Sequence, residues 1–269
     1  MRTIIVIPFH CSKMKPEEEC SLRQCARIYS GKRDIAFVIP ESLDCSAYTA
    51  IIPDAVIRRF PDSFFTSVSG YNHLLLTPGF YECFDFYDYM FVYQLDGWVF
   101  KDELDFWCLK GYDYVGGPFF MKDGFADLPV VGNGGVSLRK IKAMLRVLNG
   151  TEQKMFPNKL LWRFVRNYFA ERKYFCCLRP LLKMIGLLPN LRGNYLARIR
   201  REKFNSEDVV FYYLSREFTS DGLNMPGLDE AVRFSLDAAP REFFAELPFC
   251  CHAWLRNDFE FWKKYIDFK

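Results

Sequence analysis

Long apolar runs are missing from this 269-residue sequence. The longest, such as Thr3 to Phe9 and Met184 to Pro189, fall far short of the roughly 18–20 residues that span a bilayer, so no transmembrane helix is expected. A leader pattern is missing as well. After Arg2 come the β-branched run Thr3 to Ile7 and then Pro8, Phe9 and His10, with no small-residue cleavage site, so the expectation is a first buried strand in a chain that stays inside the cell. No C-x-x-C or H-x-x-H pair supplies zinc-ligand spacing, the GK[ST] ending of a phosphate P-loop is absent, and no internal repeat occurs at a useful period. Histidine is scarce, with three in the chain, and the net charge is only +3.

What is present is an ordinary globular composition with 50% hydrophobic and 26% charged residues, which excludes disordered, collagenous and low-complexity proteins. Aromatic residues make up an unusually heavy 18%, most of them expected in the core. The ten cysteines are expected to be reduced, buried small hydrophobes. The adjacent pairs Cys176-Cys177 and Cys250-Cys251 are poor disulfide partners.

Period and punctuation give a strand and helix alternation over the first 150 residues. Thr3 to Ile7, Ile35 to Ile39, Val56 to Phe60 and Tyr89 to Tyr93 read as strands. Pro16 to Tyr29, opening with Pro and three Glu, reads as a helix, and Tyr71 to Phe84 as an interrupted one. Such alternation implies a mainly parallel α/β sheet, whose ligands sit beyond the carboxyl ends of the strands. Pro8-Phe9-His10, Pro40-Glu41 and above all Gln94-Leu95-Asp96 occupy those positions. Further on, Ser206 to Phe218 resumes as a helix with acids in its first turn, and Ala231 to Leu236 reads as a late strand.

Between these parts the texture changes. Asn158 to Lys203 carries twelve Lys or Arg against Glu171 and Glu202, a local charge of +10, interleaved with Trp162, Phe164, Tyr168 and Phe169. Residues 150–203 are therefore read as a basic, aromatic helical insertion within one domain spanning 1–269. Such a segment suits an anionic membrane surface. A solvated basic hairpin packed on the domain accounts for it equally. Nucleic-acid binding ranks below both, because the motifs elsewhere are acidic and sugar-like.

Four short motifs carry candidate chemistry. Asp96, directly after a hydrophobic strand, is placed to hold a divalent cation, although a turn Asp before Gly97 explains it as well. Gly132-Asn133-Gly134-Gly135, entering the strand-like Val136-Ser137-Leu138, lets backbone approach a ligand closely; a hairpin turn is the plain alternative. Glu207 and Asp208 open a helix, where capping alone would account for them. His252, in Pro248 to Trp254, is either a metal ligand or a packed core histidine.

In this order the motifs resemble the GT-A class of nucleotide-sugar glycosyltransferases, and the DUF5672 family within it. The resemblance is carried by Tyr71-Asn72-His73-Leu74-Leu75, Gln94-Leu95-Asp96, Tyr112 to Pro118, Val131 to Arg139, Glu207-Asp208, Phe234-Ser235 and Pro248 to Trp254. It covers most of 1–149 and 204–256. It implies a GT-A-like, mainly parallel sheet flanked by helices and transfer of a sugar from a nucleoside diphosphate donor to an acceptor hydroxyl; cell-surface polysaccharide or lipid-linked glycan synthesis is the expected setting, with a lipid-linked acceptor made at the cytoplasmic face if the basic segment lies on a membrane. It further implies Asp208 as the base of an inverting enzyme, with Glu207 orienting the loop or binding acceptor hydroxyls. Donor contacts fall to Pro8, Gln94, Asp96, Gly132, Asn133, Gly134 and Gly135, and Mn2+ or Mg2+ ligation to Asp96 and His252. The class carries Asp-x-Asp where this chain has Gln94-Leu95-Asp96, which leaves fewer acidic ligands and Gln94 free to bond the ribose. The rival from another class is a sugar- or nucleotide-binding protein without turnover on the same fold.

Overall fold

The computed structural model describes residues 1–119, 130–149, 206–216 and 222–267. The basic stretch 158–203, Met184 to Pro189, Cys176-Cys177 and Phe218 lie outside the described residues.

Six strands form the central sheet: β1 (Thr3–Pro8), β2 (Asp34–Pro40), β3 (Val56–Phe60), β4 (Tyr89–Tyr93), β6 (Tyr114–Gly116) and β9 (Val136–Lys140). Their order is β3-β2-β1-β4-β9-β6. The first four run parallel, β9 is antiparallel to β4, and β6 is antiparallel to β9. Two small sheets stand beside it. One joins β10 (Ser235–Leu236), β11 (Cys250–Cys251) and β5 (Trp98–Val99); the other pairs β7 (Pro118–Phe119) with β8 (Val130–Val131).

The alternation of side chains along a strand sorts the core onto the two sheet faces. Ile5 and Ile7 face one layer with Phe37, Phe91, Tyr93 and Leu138, under the helix Pro16–Tyr29. Ile4 and Val6 face the other with Val38, Met90, Val92, Leu75 and Phe211. A third cluster of Trp98, Trp254, Phe261 and Trp262 closes the C-terminal end, so much of the aromatic load is core. The N-terminal helix forms where expected: Pro16 fits its first turn, Glu17 to Glu19 complement its dipole, and the Lys15 backbone N–H donates to Glu18 Oε2 at 2.9 Å.

One segment keeps the expected interruption and one differs from the sequence expectation. Tyr71 to Phe84 is two helices, Val68–Leu75 and Pro78–Glu82, because Pro78 cannot continue the first and instead begins the second. Ala231 to Leu236 is mostly helix: Leu228–Phe234 is helical and only Ser235–Leu236 is strand. Gly227 opens that helix, Asp229 and Glu230 sit in its first turn, and Ala231 and Phe234 bury one face at helical spacing, which overrides the strand-like pattern of Ala-Val-Arg-Phe. Five of the eight described cysteines are buried, Cys25, Cys45, Cys108, Cys250 and Cys251, while Cys11 and Cys83 are exposed. Among the described residues, no helix is long and apolar enough to cross a membrane.

Candidate active site

The register of three strand ends builds the site. Continuing the β1–β4 register, Val6 opposite Val92, brings Pro8 level with Gln94 at the carboxyl edge of the sheet. Because β9 runs antiparallel to β4 with Val136 opposite Tyr93, the glycine-rich loop before β9 arrives at the same edge, and the Gln94 N–H donates to the Gly135 carbonyl at 3.0 Å. On the other side, β11 pairs with β5 so that Cys251 lies opposite Trp98. One residue further, His252 meets Asp96, with Nε2 at 3.1 Å from Asp96 Oδ1 and 3.3 Å from Gln94 Oε1. The parallel pairing of β10 with β11 then puts Asp237 on the opposite ring nitrogen, with Oδ2 3.3 Å from Nδ1.

The absence of a side chain matters at two positions of the loop. A Cβ on Gly135 would lie 2.1 Å from His252 Nε2, and one on Gly134 would lie 2.1 Å from Glu207 Oε1. Both glycines let a functional side chain approach the backbone more closely than any other residue would allow. Gly132 and Asn133 hold the loop in place. Their N–H groups donate to the Gly117 carbonyl at 3.0 Å, and the Asn133 side chain is spent internally, donating to Asp237 Oδ2 at 2.6 Å and accepting from the Gly135 N–H at 3.0 Å.

The helix Glu207–Arg216 brings its acids to the other flank of the loop. Asp208 Oδ1 accepts from the Val209 N–H at 2.7 Å, and Oδ2 lies 3.4 Å from the Gly134 N–H. Glu207 is buried, and its Oε1 accepts from Arg139 Nη2 at 2.9 Å. Arg139, fully buried on β9, also donates to the Ser137 hydroxyl, the Tyr81 hydroxyl and the Gly134 carbonyl, and lies 5.0 Å from the centroid of the Tyr114 ring. Gly134 thus faces Asp208 and Gly135 faces His252, with only one peptide unit between them.

Electrostatics follow from this packing. Burial, and then the neighbouring charge of Glu207, push the Asp208 carboxyl up to about 7, outweighing the Val209 and Gly134 N–H donors and the Arg139 cation. Burial alone would lower His252, yet hydrogen bonds to Asp237 and Asp96 outweigh it and push the imidazole up to about 10. Burial likewise opposes the charge on Asp96, but His252 beside it holds the carboxyl below its ordinary value.

Seven of the residues singled out from the sequence therefore fall in two linked groups, Gln94, Asp96, Gly135 and His252, and Gly134, Glu207 and Asp208; Asn133 joins them through the Gly135 N–H, Gly132 braces the loop, and Pro8 is level with Gln94. Sequence reasoning passes over Asp237 and gives Arg139 no role. The feature that marked Asp96, an acid directly after an apolar strand, is equally present in Phe234-Ser235-Leu236-Asp237. Among the described residues, no group of three His, Cys, Asp or Glu is arranged to hold a metal; beside Asp96 and His252 stands the Gln94 amide oxygen.

The fold is that of the GT-A glycosyltransferases. It is similar to mouse xyloside xylosyltransferase 1 in its apo form, with 9% identity, a TM-score of 0.52, and coverage of 94% of this chain and 97% of that one. It is also similar to an active-site mutant of LgtC, with 12% identity, a TM-score of 0.50, and coverage of 93% of this chain and 86% of that one. The family model "Protein of unknown function (DUF5672)" matches residues 54–252, and the chain belongs to that family. The match leaves out β1 and β2, which the resemblance includes, and runs through the basic stretch 158–203, which the resemblance leaves out. No curated protein sequence matches the chain.

Proposed function

We propose that the protein transfers a sugar from a nucleoside diphosphate sugar to an acceptor hydroxyl, inverting the anomeric centre with the help of Mn2+ or Mg2+. The observation that carries this reading is the meeting of Asp96, Gln94 and His252 on one side of the glycine loop with Asp208 against the adjacent residue. The donor set suits a hard divalent cation. Asp96 Oδ1 and Gln94 Oε1 lie 3.1 and 3.3 Å from His252 Nε2, so two oxygens and one imidazole nitrogen are close together, and Gly135 puts no side chain against that nitrogen. Asp96, Gln94 and His252 would hold the cation, which when bound neutralises charge on the departing diphosphate.

Asp208 does the proton work. Its Oδ1 is held by the Val209 N–H, while Oδ2 makes only a long contact to Gly134 and is the oxygen left to take the acceptor proton. A carboxyl pushed up to about 7 combines a substantial ionised fraction near neutral pH with more basicity than an ordinary aspartate. Glu207, locked to Arg139, orients the start of the helix. Pro8, Gly132, Asn133, Gly134 and Gly135 shape the backbone wall against which the donor lies.

The acceptor is a glycan or lipid-linked glycan made at the cytoplasmic face, in cell-surface polysaccharide synthesis, within one domain spanning 1–269. Support for a membrane location is the +10 charge of 158–203, since each basic residue at an anionic surface contributes about 1 kcal/mol. Incubation with a panel of nucleotide sugars, with and without Mn2+, tests the reading through release of free nucleotide. Metal-stimulated release is the expected result; nucleotide-sugar binding without release would mark a non-catalytic binding protein.

A further inference from the structure

Asp237 is 6% exposed, and both its oxygens are occupied from within the protein. Oδ2 accepts from Asn133 Nδ2 at 2.6 Å and faces His252 Nδ1 at 3.3 Å, and Oδ1 accepts from Asn257 Nδ2. Its remaining function is to hold three segments together: the glycine loop, the turn after β11, and the residues leading to the last helix, Phe259–Trp262. The backbone repeats the connection, since the His252 N–H donates to the Leu236 carbonyl at 2.9 Å. A carboxylate at one imidazole nitrogen fixes the ring plane and, once a cation displaces the proton from the other nitrogen, decides where that nitrogen's lone pair points.

We infer that Asp237 is the positioning residue of His252: braced by Asn133 and Asn257, it turns Nε2 toward Asp96 and Gln94 and thereby sets how tightly this edge holds a divalent cation. The inference rests on the metal-assisted reading above. With an amide at one of the three donor positions, orientation of the imidazole carries a larger share of the affinity than it would between two carboxylates.

The test is Mn2+ titration of the full chain, followed by the EPR signal of free Mn2+, alone and with uridine or guanosine diphosphate. The proteins compared are wild type, Asp237→Asn, His252→Ala and the double variant. Asp237→Asn is nearly isosteric, and its melting temperature and far-UV circular dichroism report whether it folds. Loss of a carboxylate behind a metal-bound histidine is expected to weaken Mn2+ binding about 10–100-fold. It is also expected to diminish the imidazole 14N coupling seen by pulsed EPR. In the His252→Ala background the same substitution should add nothing, because its effect passes through the ring. A purely structural role would lower melting but leave the 14N coupling of folded protein unchanged. Binding by Asp237→Asn within twofold of wild type, or an undiminished loss in the His252→Ala background, overturns the role of Asp237 alone. Absence of Mn2+ binding by wild type under both conditions overturns the metal reading, and this inference with it.

Discussion

Strands β4 and β9 are neighbours in the middle of the sheet, paired over five residues each, yet they are built from opposite materials. Tyr89 to Tyr93 on β4 is buried throughout and made only of apolar and aromatic side chains. On β9, Val136 and Leu138 face one core layer, while Ser137 and Arg139, both 0% exposed, face the other. A buried arginine opposite Met90 would be costly if its only task were to fill space. Each of its three guanidinium nitrogens finds a partner, and those partners are Ser137, Tyr81, the glycine loop and Glu207. Strand β4 thus supplies burial, whereas β9 supplies orientation, and the candidate site residues gather where the two strands meet.

The largest effect should come from removing the acid at the end of β4. Asp96 is 44% exposed along its side chain and supports no core packing, so Asp96→Ala should leave melting nearly unchanged while abolishing metal-dependent turnover. Activity near wild type, or an unaltered Mn2+ response, would take Asp96 out of the site and leave β4 a purely structural strand.

Next comes the acid held against the loop leading into β9. Asp208→Asn keeps the shape but cannot accept a proton, and kcat should fall roughly 10²–10⁴-fold with donor binding nearly unchanged. With its carboxyl at about 7, wild-type kcat/KM should drop about tenfold per unit as pH falls below that value. Stability should move the other way. The folded carboxyl holds its proton up to about 7 whereas the unfolded one releases it near 4, so the fold loses stability as pH rises through that window. Asp208→Asn should flatten this slope, and retention of the anomeric configuration in the product would count against the base assignment.

Third, the two strands can be set against each other directly. Phe91→Ala on β4 and Arg139→Met on β9 should each cost about 3–5 kcal/mol, the first as a cavity and the second by stranding buried Glu207 without its cation. Only the second has a remedy across the contact. Adding Glu207→Leu to Arg139→Met should restore at least half of the lost stability, measured by urea unfolding, and leave turnover low because the helix start is no longer tied to the loop. Equal instability of the single and double variants would mean that β9, like β4, is held by shape alone.

The same contrast explains what the sequence reveals. Strands such as β1, β2 and β4 are legible because an unbroken apolar run needs no knowledge of its partners. Asp96, Asp208 and His252 are legible through the order of their motifs. Asp237 and Arg139 are not, since their meaning lies in partners far along the chain, Asn133 for the one and Glu207 for the other. The helix Leu228–Phe234 was hidden because Ala-Val-Arg-Phe alternates like a strand until its first-turn acids and buried Phe234 are placed.

The smallest effect belongs to an ion pair that looks as good as the buried one. Arg23 Nη2 lies 2.6 Å from Glu19 Oε1, closer than the 2.9 Å between Arg139 and Glu207. The first pair sits on the exposed face of the N-terminal helix at 62% and 44% exposure, and the second is almost wholly enclosed. In water the attraction is screened and competes with side-chain entropy, so an i, i+4 pair of this kind contributes only about 0.3–0.5 kcal/mol. Removing Arg23 also leaves Glu19 fully hydrated in the first turn, where the helix dipole still favours it. Arg23→Ala should therefore shift stability by less than about 0.5 kcal/mol, and that small shift should shrink further at high salt. A loss approaching that of Arg139→Met would show that contact distance, rather than enclosure and the charge left behind, governs these pairs.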